Sequence, residues 1–119
     1  MRAKSTRHLE LPYQRPTGIN VSNVKDLDAF LTWTVEASSY WPMNDGAKLA
    51  VDKLLAHLQN RMPVTELDTK AIDGFIQWVE EAGKGCPIGE NARAVIDLFV
   101  AYRDRLTKYQ AQLRNYWLQ

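Results

Sequence analysis

From Asn91 to about Leu118 the chain contains neither proline nor glycine, and its apolar residues recur every seven positions. Ala92, Phe99, Leu106 and Leu113 form one set; Val95, Tyr102, Tyr109 and Tyr116 form a second, offset by three. Alternating three- and four-residue spacing sustained over this length predicts one long helix with a continuous seam, as in a helical bundle or coiled coil. At 1.5 Å per residue such a helix spans ~40 Å. The remaining segments allow helices of only ~25–28 Å on the same rise. The last helix is therefore expected to outrun the others.

Its surroundings change along its length. Ile96, Leu98 and Val100 widen the apolar surface of the first half, as in a helix central to a core. From Arg103 onward the flanks turn polar or basic, with Arg103, Arg105, Lys108 and Arg114, and only the narrow seam persists into Trp117 and Leu118. We expect a core helix up to about Tyr102 and a projecting amphipathic rod after it. Tyrosine fits a dry two-stranded coil poorly, because its hydroxyl seeks a partner. The seam is thus read as covered by the rest of the chain, as a face for a second protein or copy, or as a stacking surface for nucleic acid.

Three shorter helices precede it. Ser22 or Asn23 can cap the first, whose apolar lines are Val24, Leu27, Phe30/Leu31 and Thr34, then Trp33, Ala37 and Tyr40/Trp41. Pro42 stops it. Asn44 or Asp45 caps the second, with Ala47, Val51, Leu54/Leu55, Leu58 and Met62 as its buried stripe and Pro63 as its end. Thr65 or Asp68 opens the third; with Asp68 as cap, Leu67 and Ile72 occupy the positions of a hydrophobic staple. Ile72, Phe75, Ile76 and Val79 form its core face. Gly74, costing ~1 kcal/mol against alanine inside a helix, is either simply tolerated or marks a close approach at Ala71/Gly74. Gly83 is expected as a left-handed cap, followed by the glycine-rich loop to Gly89.

The expected fold is all-α: a four-helix bundle over residues 23–119, preceded by a basic N-terminal arm over residues 1–22. Short connections favour antiparallel neighbours. The chain's 119 residues suit one domain, large enough to fold without disulfides or a structural metal. A formal charge of +1 conceals a layout. Residues 1–22 carry four bases (Arg2, Lys4, Arg7, Arg15) against one acid, a net of +3. Residues 23–90 carry six bases and eleven acids, a net of −5. Residues 91–119 carry five bases and two acids, again +3. Such asymmetry bears on partners rather than on fold.

Chemistry finds little support. One cysteine, Cys86, and two histidines, His8 and His57, supply neither a disulfide nor a metal site. No metal, cofactor or small-molecule substrate is expected. His57 has Lys53 and Arg61 four residues either side and reads as structural. Glu80/Glu81, with Glu36 or Glu90, read as solvated carboxylates. The glycine loop lacks the GxxxxGK[ST] order and the preceding strand of a phosphate-binding loop. Cys86 is placed near the start of the last helix, where a thiol pKa falls, but no catalytic partner is identifiable. No apolar run is long enough to cross a membrane, no secretory leader is apparent, and a lone thiol suits the cytoplasm.

We therefore expect a non-enzymatic interaction module, such as an adaptor, inhibitor or small subunit. Leu106, Tyr109, Leu113, Tyr116 and Trp117 would meet a protein partner or a second copy. The alternative is a nucleic-acid-associated subunit. In it, Arg2, Lys4, Arg7, Arg15, Arg103, Lys108 and Arg114 contact RNA, DNA or an acidic protein.

Overall fold

The computed structural model describes residues 16, 18–60, 63–65 and 67–117. These form four helices: α1 (Val24–Ser38), α2 (Asp45–Asn60), α3 (Thr69–Gly85) and α4 (Glu90–Trp117). No strand occurs among them; one antiparallel bridge pairs Ile19 with Val64. Arg2, Lys4, Arg7 and Arg15 lie outside the described residues.

Local chemistry sets the helix starts. The Asn23 Oδ1 accepts the amides of Lys25 (2.9 Å) and Asp26 (3.3 Å), satisfying two orphan donors of α1. The Asn44 Oδ1 accepts the Ala47 amide at 2.8 Å and the Asp68 Oδ1 the Ala71 amide at 2.8 Å, capping α2 and α3. Leu67 and Ile72, flanking the Asp68 cap, are both in the core. α1 stops at Ser38, before Pro42, because the amides of Tyr40 and Trp41 both turn back to the Ala37 carbonyl.

α4 packs against both α1 and α3, and α2 packs against α3. Phe30, Phe75 and Phe99 join α1, α3 and α4, with ring centroids 5.8 and 4.7 Å apart. Contrary to the expectation that short loops make neighbours, consecutive α1 and α2 form no substantial pair. The intervening segment leads α2 onto α3 instead. There Trp41 accepts the Trp78 indole N–H on its carbonyl (2.8 Å), and the Asn44 side-chain amide donates to the Gly74 carbonyl (2.8 Å).

This crossing resolves the role of Gly74. Gly46 of α2 lies so close to Ala71 of α3 that a β-carbon there would overlap the Ala71 carbonyl oxygen. Gly74 faces the same contact, 3.6 Å from the Gly46 Cα when extended by a β-carbon. The glycines let two helix backbones touch.

Three expectations are corrected. Only part of the α2 stripe is buried: Ala47, Val51 and Leu54 are, whereas Leu55 and Leu58 are exposed, because no helix covers that flank of α2. Met62 lies outside the described residues. Gly83 does not end α3, which continues to Gly85 with the Cys86 amide bonded to the Ala82 carbonyl (2.8 Å). Gly85 serves contact instead, since a β-carbon there would overlap the Trp41 indole. The body also begins before residue 23: Ile19 and Val21 belong to the core, and Ile19 exchanges amide bonds of 3.0 and 2.8 Å with Val64. Gly18, at φ +125°, supplies the left-handed turn into this strap.

Candidate functional site

Helix α4 is buried through Ala92, Val95, Ile96, Phe99, Tyr102 and Leu106, one seam position further than Tyr102. Beyond Leu106 the helix runs eleven more residues to Trp117, ~16 Å at helical rise, with no buried residue. The seam nevertheless continues. Tyr109 and Leu113 are half-buried, Tyr116 is 37% exposed and Trp117 72% exposed. The Tyr116 and Trp117 rings meet edge to face at 5.5 Å. Tyr109, Leu113 and Tyr116 stand at i, i+4 and i+7, the spacing by which an amphipathic helix presents anchors to a groove.

Leu106, proposed from the sequence as a contact, is only 1% exposed. It anchors α4 in the core and is not available to a partner. Arg103 is also engaged: its guanidinium lies 3.3 Å from Asp73 of α3 and 3.3 Å from Asp104. Such surface pairs contribute at most ~1 kcal/mol, but this one places the root of the projecting segment beside α3. Arg105, Lys108 and Arg114 form no ion pair with a described residue and leave the tail cationic. No described helix is long and apolar enough to cross a membrane.

A second feature escaped the sequence. The N-terminal turns of α2 and α3 meet in an open groove of about 920 Å³. It is lined by Gly46, Leu49, Ala71 and Gly74 together with the acids Asp45, Asp68 and Asp73. Two separate stretches, residues 44–49 and 68–77, build it, so no local pattern could announce it.

The groups with chemical potential are engaged in structure. His57 is buried, and its Nε2 accepts the Val21 amide at 3.2 Å, holding the strap on α2. Cys86 caps the end of α3 rather than opening α4, which starts at Glu90. The Cys86 thiol donates to the Glu36 Oε1 at 3.0 Å, and this hydrogen bond, burial and the carboxylate charge together push its pKa up. That is opposite to the lowering expected at a helix start. The Cys86 carbonyl accepts the Trp33 indole N–H at 2.9 Å, so the segment is a structural joint between α1 and α3. No group of three or more His, Cys, Asp or Glu suited to a metal occurs among the described residues.

Comparison with family models, curated proteins and solved structures found no match.

Proposed function

We propose that this chain is a non-enzymatic interaction module, an adaptor, inhibitor or small subunit, that docks a protein partner through the tail of α4. The helical body, read as a four-helix bundle that includes the Ile19–Val21 strap, with the residues before it as a basic extension, serves as the base. The cytoplasm is the compartment we assign to it. One observation carries the reading: the α4 seam continues past the last buried residue, Leu106, and ends in exposed Tyr116 and Trp117. Large aromatics are the residue types that dominate binding energy when a partner desolvates them. Engagement of His57 and Cys86 within the fold supports a binding role over catalysis.

The test is affinity capture from the native host with and without nuclease, comparing wild type with Tyr116→Asp/Trp117→Asp. Both substituted residues are exposed, so the variant should keep its helical circular dichroism. A nuclease-resistant partner, lost in the variant, is expected. Capture unaffected by the substitutions would refute the reading. So would a partner released by nuclease, which is the outcome of the nucleic-acid alternative carried by Arg105, Lys108 and Arg114.

A further inference from the structure

The cationic tail and the acid-lined groove lie at the same end of the molecule. The Arg103–Asp73 contact joins the root of one to the lining of the other. α4 continues as an unbroken helix past Arg103 to Trp117, so a tail cannot fold back into its own groove. We propose that the partner of the tail is a second copy of this chain. Each α4 tail lies in the α2/α3 groove of the other protomer, in a two-fold dimer. This deepens the tail-docking reading above and rests on it.

Charge argues for this occupant. The groove lining carries Asp45, Asp68 and Asp73 against Lys70, and Asp73 is already paired with Arg103 of its own chain. The Asn44 and Asp68 side chains cap the two helix starts there, which leaves Asp45 as the lining carboxylate with no partner among the described residues. The tail brings Arg105, Lys108 and Arg114, none in an ion pair with a described residue. A tail-on-tail coil would instead set like charges together. Chemistry of the lining agrees: exposed Leu49 stands with Gly46, Ala71 and Gly74 in a groove whose volume, about 920 Å³, reaches the upper range of ligand-sized concavities. Tyr116 and Trp117 supply aromatic bulk to fill it.

Area argues for reciprocity. A single tail of two to three turns falls well short of the ~800 Å² per partner typical of a stable interface. Two-fold symmetry makes each protomer contribute both a tail and a groove, doubling the buried surface. Isologous pairs of this kind are the commonest closed assemblies.

A charge swap tests it on the full-length chain by sedimentation equilibrium over a concentration series. Wild type should dimerise, and added salt should weaken the dimer. Lys108→Glu/Arg114→Glu on the tail, and on the groove Asp45→Arg with Gln77→Arg (Gln77 also lines it), should each raise the dimer dissociation constant at least ~10-fold, as like charges set across an interface do. An equimolar mixture of the two variants should recover dimer, because its two contacts are one wild-type and one doubly reversed. All four side chains are exposed, and circular dichroism verifies folding. A wild-type chain that stays monomeric overturns the proposal. Dimers unaffected by either variant, no recovery on mixing, or dimers dissolved by nuclease overturn it as well. A monomeric chain that still captures a nuclease-resistant partner through Tyr116 and Trp117 would sink only the self-pairing and leave the docking reading standing.

Discussion

Substituting Gly46 by alanine should destabilise the protein, although alanine is the better helix former. The β-carbon would overlap the Ala71 carbonyl oxygen and stand 3.1 Å from the Ala71 carbonyl carbon and 3.2 Å from its Cα. Every one of these neighbours is backbone, so no side chain can rotate away. Relief requires α2 and α3 to separate, which also loosens Ala47, Ala50 and the Asn44–Gly74 hydrogen bond. Overpacking of this kind costs ~3 kcal/mol at the upper end of its usual range. Alanine returns up to ~1 kcal/mol through helix propensity and a stiffer unfolded chain. The net expectation is a loss of about 2 kcal/mol. With a urea dependence of ~2 kcal/mol per molar, the unfolding midpoint should fall by about 1 M. Gly74→Ala is the matched control. Its β-carbon would meet chiefly the Asn44 Oδ1, at 3.3 Å, a side-chain atom that need shift by only a few tenths of an ångström. Propensity and crowding then nearly cancel, leaving stability within ~0.5 kcal/mol of wild type. Urea unfolding followed by circular dichroism at the helical band reads both. A Gly46→Ala protein as stable as wild type, or no less stable than Gly74→Ala, would refute the backbone contact.

Trp33→Phe removes the indole donor to the buried Cys86 carbonyl and part of the packing on Trp78, and should cost ~1–3 kcal/mol in urea unfolding. A change below ~0.5 kcal/mol would show that this bond does not hold the α1–α3 joint. For Cys86, the folded thiol pKa is raised, so its contribution to stability is present below the unfolded thiol pKa and fades as pH rises through the folded one. The native alkylation rate plotted against pH should therefore turn up at higher pH than in urea-unfolded chain. Glu36→Gln should shift the native profile toward lower pH; a coincident profile would dismiss the carboxylate as the cause.

Much of the fold was readable where its cause is local. Asn23, Asn44 and Asp68 announce their helices because a side-chain oxygen finds amides two or three residues away. The α3 face of Ile72, Phe75, Ile76 and Val79 was equally plain, being pressed between helices. Failures occur where distant residues decide. Leu55 and Leu58 have the period of a buried stripe, yet α2 sits at the edge and only the Leu54 side meets α3. Gly83 and Gly85 look like a helix stop, but their small size answers to Ile88 and Trp41 rather than to a left-handed turn. The tail seam was readable from its heptads, though its boundary shifted from Tyr102 to Leu106. The groove was not, because residues 44–49 and 68–77 carry no shared pattern until α2 crosses α3.

The pairing of α1 with α4 joins the two ends of the helical body. Contacts between sequence-distant elements are slow to form, because a large loop must close before they stabilise anything. During synthesis α2 and α3 can meet as soon as both have emerged, at the glycine crossing. The α1 face that packs on α4 stays uncovered until α4 follows. The body is thus completed only by its last helix, and a chain released before Leu106 would leave the α1 core face open to solvent and to aggregation. The segment that seats the final core residue also bears the tail proposed for docking, so on that proposal a protomer able to engage a partner is one whose own core has already closed.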